Sequence, residues 1–258
     1  MTIRPLRTRF GKEIVAEFWQ PVHPSRKARP ELSRRVIIYC DGAPTIPYKR
    51  PLLESFAKRG YWIFHIRFRG CWESGGKFLR LSPERDVLEV INQLPRGFVD
   101  DWSGKRFRVK PSTVVLIGSS FGGPAVLLAS RDPRITKVIA VSPVVDWCAP
   151  SRTEPLPWLK KFMRRAFGEA YRFTDRDWQK LSRGRFYSPM MHAAEIDGRK
   201  ILMIHARDDQ SVAWQPVAQF AALTGAELIL LRHGGHLGPN ILTQPRLWPQ
   251  IRKFLARL

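Results

Sequence analysis

The sequence predicts an α/β fold in which helices cover both faces of a mostly parallel sheet. Apolar runs at 36–39 (VIIY) and 113–117 (TVVLI) lack the polar alternation of a half-exposed strand, which indicates strands buried on both faces. Segments with helical periodicity, such as 83–94, separate these runs along the chain. Strands and helices therefore alternate, and this alternation is typical of a parallel sheet.

The first elements follow from local residue preferences. A strand is predicted at 14–19 (IVAEFW), where β-branched and aromatic residues favour extended backbone. After the strand at 36–39, an apolar helical pattern covers 52–57 and ends at Gly60, a common residue just beyond a helix. The next strand begins at 62–64 (WIF), so the chain has returned to the sheet.

The later elements repeat the alternation. In the helix predicted at 83–94, Pro83 stands in the first turn, where its missing N–H costs little. The strand at 113–117 then leads directly into a helix over 118–130. The remaining predicted strands are 138–141, 201–204 and 228–231, and the remaining helices are 212–223 and 244–258.

One long segment, 147–200, interrupts this rhythm between two predicted strands. Helical patterns occur within it at 158–167 and 175–181. Two interpretations stay open: an insertion that acts as a lid over the sheet, or a long crossover with an extra helix. The chain from 1 to 258 is interpreted as one domain that contains this segment.

The composition excludes some functional classes. With 44% hydrophobic residues, 9 Trp and 15 Phe, the chain is not disordered. No apolar segment approaches the ~18 residues of a membrane helix, and the N-terminus has no signal-like apolar region. Cys40, Cys71 and Cys148 are odd in number and lack metal-type spacing, so we expect reduced thiols in a cytoplasmic protein.

The strong positive charge raises nucleic-acid binding as an alternative. Lys and Arg total 44 against 22 Asp and Glu, which gives a formal net charge of +22. The basic residues are scattered and form none of the usual nucleic-acid motifs, so the sequence does not favour nucleic acid as a partner. A basic segment at 23–30 is interpreted as an exposed loop. The densest run, 160–165 (KKFMRR), is either a solvated helix face or a surface that attracts anionic substrates or an acidic membrane.

The segment 118–122 (GSSFG) matches G-x-S-x-G between an apolar strand and a helix. This context is that of a nucleophile elbow, in which Ser120 occupies a strained turn. Gly118 and Gly122 are required there because larger side chains would collide with neighbouring backbone. The alternative is a turn that binds phosphate at a helix N-terminus, but no Gly-Lys-Ser/Thr ending supports it. The pattern therefore favours Ser120 as a nucleophile.

A serine nucleophile needs a base and an acid, and both follow later strands in the required order. The acid is Asp208 or Asp209, directly after the strand at 201–204, with Asp146 as a third possibility. The base is His233 or His236, and the glycine pair before His236 favours the latter. The carboxyl ends of parallel strands meet at one edge of a sheet, so these residues are expected to lie together.

An oxyanion formed by serine attack also needs N–H donors. One donor is expected from Phe121, the residue after the nucleophile. The second is expected from the loop at 41–44 (DGAP), with Ala43 as the donor and Gly42 permitting the bend.

At these motifs the sequence resembles the α/β-hydrolase superfamily and, more narrowly, the prolyl oligopeptidase catalytic domain and its small esterase relatives. The resemblance covers about 14–258. The matching segments are 118–123 (GSSFGG), 69–78 (RGCWESGGKF), 142–147 (SPVVDW), 187–189 (YSP), 205–212 (HARDDQSV) and 235–236 (GH). The resemblance selects Asp209 as the acid and His236 as the base. It implies an α/β-hydrolase fold with a Ser120–His236–Asp209 triad and no metal or organic cofactor.

The sequence also departs from this family pattern. Asp41 stands where many relatives have His, Ala206 replaces a common Gly, and 258 residues leave no room for an N-terminal propeller. These departures favour a stand-alone carboxylesterase over an intact peptidase. A peptidase-like amide hydrolase, an acyltransferase and a non-catalytic scaffold remain alternatives.

The resemblance implies a small acyl ester or a short peptide as the substrate, and the positive charge adds an expected preference for anionic substrates. The acyl pocket is expected to draw on the 147–200 segment and on the 69–78 loop. Its candidate aromatic walls are Trp72, Trp147, Trp158 and Phe162.

Overall fold

The computed structural model describes residues 4–22 and 33–257, and the statements below concern these residues. The basic loop expected at 23–30 and the last residue of the predicted final helix lie outside them. The strands are β1 (Leu6–Phe10), β2 (Ile14–Trp19), β3 (Arg35–Cys40), β4 (Trp62–Ile66), β5 (Phe98–Val99), β6 (Arg106–Phe107), β7 (Thr113–Ser119), β8 (Lys137–Val141), β9 (Ile201–Ala206) and β10 (Glu227–Leu231). The α-helices are α1 (Arg50–Ala57), α2 (Glu84–Gln93), α3 (Gly122–Ala129), α4 (Leu156–Phe167), α5 (Asp175–Ser182), α6 (Trp214–Thr224) and α7 (Trp248–Ala256). Short 3₁₀ helices lie at Gly168–Ala170, Pro189–Glu195, Gly198–Lys200 and Pro239–Thr243.

Eight strands form one sheet in the order β1-β2-β4-β3-β7-β8-β9-β10. The strands from β4 to β10 in this order are parallel, whereas β2 pairs antiparallel with both β4 and β1. The predicted mostly parallel sheet is therefore confirmed.

Alternate residues of each central strand face opposite sides of the sheet, and both sides are buried. In β3, Val36, Ile38 and Cys40 belong to one apolar cluster, whereas Ile37 and Tyr39 belong to another. Helices α2, α3 and α6 pack on the first side, and α1 and α7 pack on the second. This two-sided cover explains why the central strands are continuous apolar runs in the sequence.

Several element boundaries differ from the sequence prediction. Strand β7 continues to Ser119, so α3 begins at Gly122 rather than at 118. The final helix starts at Trp248 rather than at 244, because residues 245–247 form a turn before it. The edge strand β1 and the short β5–β6 hairpin were not predicted.

The segment 147–200 contains α4, α5 and several 3₁₀ turns, as the helical patterns predicted. It is fixed to the sheet end by Tyr187, whose hydroxyl donates a 2.6 Å hydrogen bond to the Phe121 carbonyl. Within the described ranges, no helix is both long enough and apolar enough to cross a membrane.

Candidate active site

Ser120 lies in the tight turn between β7 and α3, with a φ of +49°. This left-handed backbone conformation is costly for a non-glycine residue and marks a strained turn. A Cβ at Gly118 would lie 2.4 Å from the Gly122 carbonyl oxygen, and a Cβ at Gly122 would lie 2.3 Å from the Cys40 oxygen. The turn can therefore form only with glycine at these two positions, and it presents Ser120 at the carboxyl end of β7.

His236 and Asp209 form a hydrogen bond at the same end of the sheet. The His236 Nδ1 atom lies 2.8 Å from Asp209 Oδ2. Asp209 follows β9 and His236 follows the adjacent parallel strand β10, so the sheet register brings the two loops together. The Asp209 side chain is buried, whereas the His236 ring is 30% exposed. An imidazole in this position can exchange protons with a molecule in the neighbouring cavity.

The surroundings of Asp209 favour its ionised form. Burial alone would raise its pKa, but hydrogen bonds from His205 and His236 and from the Val212 N–H hold it well below its usual range. The N–H groups of Ser211 and Val212 both donate to Oδ1 at 2.9 Å. An ionised Asp209 accepts the Nδ1 proton of His236, which leaves the other ring nitrogen free to act as a base.

His205 contacts the proposed acid but is not among the residues that the motifs predict for the site. It is fully buried, and its Nε2 lies 3.3 Å from Asp209 Oδ2 and 2.9 Å from the Val212 carbonyl oxygen. His205 therefore fixes both the acid and the turn that follows it. Its four-residue spacing from Asp209 in 205–212 is the sequence signal that could have indicated this contact.

The other acids and bases that the sequence offered lie elsewhere. Asp208 accepts hydrogen bonds from the Gly234 and Gly235 N–H groups, at 3.2 and 2.9 Å, and so fastens the loop that precedes His236. His233 is 87% exposed and lies 3.7 Å from Asp208. Asp146 Oδ1 accepts the Cys148 N–H at 2.8 Å. The structure brings His236 together with Asp209 rather than with Asp208.

The loop expected to supply an oxyanion donor runs beside Ser120. A Cβ at Gly42 would lie 3.3 Å from the Ser120 Cβ, so a side chain there would crowd the serine. The Gly42 N–H donates to Asp41 Oδ1 at 3.0 Å and is therefore occupied. In contrast, the N–H groups of Ala43 and Phe121 have no hydrogen-bond partner within the described part of the chain. These two donors are available to an oxyanion.

Asp41, which stands where relatives have His, anchors a buried polar cluster behind this loop. Its carboxylate lies 3.0 Å from the Lys49 Nζ, 3.5 Å from the His65 Nε2 and 3.1 Å from the Tyr39 hydroxyl. Burial opposes ionisation of Asp41, but His65 and Lys49 lower its pKa. Burial lowers the pKa of His65 to about 4, with Arg67 adding to the effect. The cluster therefore holds Asp41 as an anion beside a neutral histidine.

Two cavities open at Ser120. The larger, of about 450 Å³, is mainly apolar and includes Trp147 and Phe121 in its wall. The smaller, of about 230 Å³, contains His236, Trp158 and Phe162. Four residues line both cavities, namely Ala43, Ser120, Glu154 and Leu159. The arrangement gives a substrate room on both sides of the serine.

The aromatic walls expected from the sequence are therefore partly present. Trp147, Trp158 and Phe162 line these cavities, and all three come from the 147–200 segment. The expected contribution of the 69–78 loop is wrong for these cavities, because no described residue of that loop lines either of them. Trp72 instead donates its indole N–H to the Thr45 carbonyl oxygen at 3.2 Å.

The chain belongs to the alpha/beta hydrolase family, because the family's sequence model matches residues 42–247. The resemblance predicted from the motifs is thereby confirmed. No curated protein sequence matches the chain. Its fold can still be compared with solved structures.

Similar solved structures include one of comparable length and others that are larger. An esterase of Pyrococcus furiosus has a TM-score of 0.68 and 19% identity, covering 99% of this chain and 91% of the esterase chain. The acylaminoacyl peptidase of Pyrococcus horikoshii gives 0.67 and 19%, covering 100% of this chain and 42% of the peptidase. A puromycin-hydrolyzing peptidase of Mycobacterium tuberculosis gives 0.65 and 16%, covering 91% of this chain and 36% of that one. At these identities the likeness concerns the fold.

Proposed function

We propose that the protein is a serine hydrolase that cleaves carboxylic esters through an acyl-enzyme. The observation that carries this proposal is the 2.8 Å contact between Asp209 and His236. His236 lines the same cavity as Ser120. Nucleophile, base and acid therefore come from three strand ends in the order that this chemistry uses. Similarity in fold to an esterase over nearly the full length of both chains supports the same reaction.

The proposed reaction proceeds in two stages. Ser120 Oγ attacks the ester carbonyl carbon while His236 takes its proton, and His236 then returns this proton to the leaving alcohol. A water molecule, deprotonated by His236, attacks the acyl-enzyme and releases the acid and Ser120. Asp209 keeps the imidazole in the required tautomer and stabilises the imidazolium that forms.

The negative charge that develops on the carbonyl oxygen needs fixed donors. The Phe121 and Ala43 N–H groups are proposed for this role because both lie beside Ser120 without partners in the described residues. Loss of one such donor typically costs about 3–4 kcal/mol of transition-state stabilisation. The Asp41–Lys49 ion pair would hold the Ala43 loop in position.

The two cavities suggest where the two parts of the ester bind. The leaving group must lie near His236, which protonates it, so the smaller cavity is assigned to the alcohol. The larger, mainly apolar cavity is then assigned to the acyl group. Helix α4 contributes Leu156 and Leu159 to the walls of the larger cavity. Because this helix belongs to the 147–200 segment, we propose that the segment acts as the lid of the site.

We also propose a cytoplasmic location. Cys40 and Cys71 are buried free thiols, and Cys148 is an exposed free thiol. Thiols that remain unpaired in this way are typical of a reducing compartment.

Replacing the serine tests the proposed function. Ser120→Ala should lower the rate of p-nitrophenyl butyrate hydrolysis by about 10⁴-fold or more, because the nucleophile is lost. A fluorophosphonate probe should label Ser120 in the wild-type protein and leave the variant unlabelled. Circular dichroism spectra should coincide, because the Ser120 side chain supports no packing of the core.

A matched control is Ser55→Ala, which removes a hydroxyl from α1, outside both cavities. Turnover by this control should equal that of the wild type. Unchanged turnover by the Ser120 variant, or labelling at another residue, would contradict the proposal.

A further inference from the structure

The charge of the substrate cavities is opposite in sign to that of the whole chain. Among the described residues that line them, the single Lys or Arg is Lys49, and its ammonium lies 3.0 Å from Asp41. Two further carboxylates, Asp146 and Glu154, also face the cavities, and neither forms an ion pair within the described residues. The described lining of the two cavities therefore carries excess negative charge, although the chain has twice as many basic as acidic residues.

Glu154 is held in place by two hydrogen bonds. Its backbone N–H donates to Ser151 Oγ at 2.9 Å, and its Oε1 accepts the Ser211 hydroxyl at 3.1 Å. The Ser211 N–H in turn donates to Asp209, so Glu154 is tied to the loop that carries the acid. Its second carboxylate oxygen, Oε2, has no partner among the described residues. This oxygen is available to a ligand in the cavities.

An aromatic pair lies in the same cavity as Glu154 and His236. The rings of Trp158 and Phe162 stack with centroids 5.0 Å apart and planes 10° from parallel. Their exposures are 46% and 39%, and no described Lys or Arg side chain lies over either ring. The face of a tryptophan attracts cations through its quadrupole. A carboxylate and partly exposed aromatic rings that line one cavity are a combination that can bind organic cations.

We propose that the substrate is an ester whose leaving alcohol carries a cationic nitrogen, bound by Glu154 and by the Trp158–Phe162 pair. This inference rests on the proposed hydrolase function and names its substrate class. The cation is assigned to the leaving group because both recognition elements share the cavity of His236, which protonates that group. Glu154 supplies the counter-charge, and the aromatic pair covers the methyl or methylene groups around the nitrogen.

The proposed substrate is cationic, whereas the net charge of the chain favours anionic substrates. A formal charge of +22 attracts anions and repels cations at long range. A cationic ester would therefore be favoured only by local contacts in the cavity. A measured preference for the cationic ester would therefore be due to the cavity and not to the net charge of the chain.

Three butyrate esters of nearly equal size provide the test. These are butyrylcholine, its neutral isostere 3,3-dimethylbutyl butyrate, and the butyrate ester of a hydroxy acid with a carboxylate in the corresponding place. The wild-type kcat/KM for butyrylcholine should exceed that for the neutral isostere by about tenfold. The carboxylate ester should be the slowest, because Glu154 repels it.

Two variants locate the preference. Glu154→Gln should bring the ratio of kcat/KM for the cationic and neutral esters to about one. Trp158→Leu should lower the same ratio by about threefold, because a cation–π contact is replaced by an apolar one. Glu169→Gln is the matched control, since it removes the same charge from an exposed site of 147–200 that lines neither cavity. This control should keep the wild-type ratio.

The outcomes separate the inference from the function on which it rests. If all three esters are cleaved by Ser120 at similar rates, or the carboxylate ester is preferred, the inference is wrong and the hydrolase proposal stands. A preference that persists in Glu154→Gln, or that is equally lost in Glu169→Gln, also overturns it. If none of the three esters is cleaved while p-nitrophenyl butyrate is, the inference is wrong and the hydrolase proposal stands. If p-nitrophenyl butyrate is not cleaved either, the proposed function is contradicted and the inference falls with it.

Discussion

Asp208 and Asp209 are neighbours in the chain, yet their carboxylates have different partners. Asp209 is buried and contacts His236, whereas Asp208 accepts the N–H groups of the two glycines before that histidine. One side chain is therefore proposed to orient the imidazole directly, and the other holds the loop that carries it. Substitutions at the two positions are therefore expected to lower kcat by different amounts.

Asp209→Asn should lower kcat for ester hydrolysis by about 10⁴-fold, because an amide can impose the wrong imidazole tautomer. Asp208→Asn should lower kcat by about tenfold or less, because its carboxylate contacts only backbone N–H groups. Steady-state kinetics of both variants with one ester measures this difference. A larger loss at position 208 than at 209 would mean that the acid has been assigned wrongly.

Individual site residues could be predicted from the sequence where they stand in motifs, but not where their role depends on contacts with distant segments. Ser120 and His236 are indicated by their glycine neighbours and by the strands before them. The Asp41–Lys49–His65 cluster joins three separate segments, so no local spacing indicates it. Glu154 lines both cavities but stands in none of the motifs, so no local pattern indicates it.

The turn between β7 and α3 is the element on which the site depends most. It allows no side chain at Gly122, because a Cβ there would lie 2.3 Å from the Cys40 oxygen and 2.5 Å from the Asp41 oxygen. These oxygens belong to the end of β3 and to the start of the oxyanion loop. A change at Gly122 therefore displaces two parts of the proposed site at once.

Gly122→Ala should lower the free energy of unfolding by about 2 kcal/mol, because the backbone of β3 or α3 must shift to admit the methyl group. Gly238→Ala is the matched control, since its position has no neighbour within 4 Å and no positive φ. Urea unfolding of both variants measures the difference. Equal stability of the two variants would show that the turn can accommodate a side chain.

The elements that sequence predicted well are those buried on both faces. Runs of four consecutive apolar or aromatic residues, at 36–39, 114–117 and 201–204, predicted β3, β7 and β9. Strand β1 was missed because one of its buried residues is Thr8, so Leu6–Phe10 shows no clear alternation of apolar and polar residues. The β5–β6 hairpin was missed because its strands have only two residues each. Edge and short strands depend on pairing partners that a local pattern does not contain.

For the whole molecule, the buried His65 makes stability sensitive to acid. Its folded pKa of about 4 lies below the ordinary value of 6.5, so the unfolded chain binds this proton more tightly. Stability is therefore fully present above pH 6.5 and is lost as the pH falls toward 4. Asp86 acts in the opposite direction, because burial raises its pKa to about 6.

His65→Gln should reduce the difference in unfolding free energy between pH 7 and pH 5 by about 2 kcal/mol, because the titrating group is removed. Asp86 is present in both proteins, so its contribution cancels in the comparison. His192→Gln, at a partly exposed histidine, should retain the wild-type difference. Urea unfolding at the two pH values provides the measurement, and an unchanged difference in the His65 variant would contradict the prediction.

The proposed nucleophile and base follow strands that differ in burial and in position within the sheet. Strand β7, which carries Ser120, is central and almost entirely buried, whereas β10, which precedes His236, is an edge strand with half-exposed residues. Local opening of such an edge needs less free energy than unfolding of the whole domain. We therefore expect the β10 edge to open before the core unfolds, which would separate the proposed base from Ser120 while the rest of the sheet stays intact.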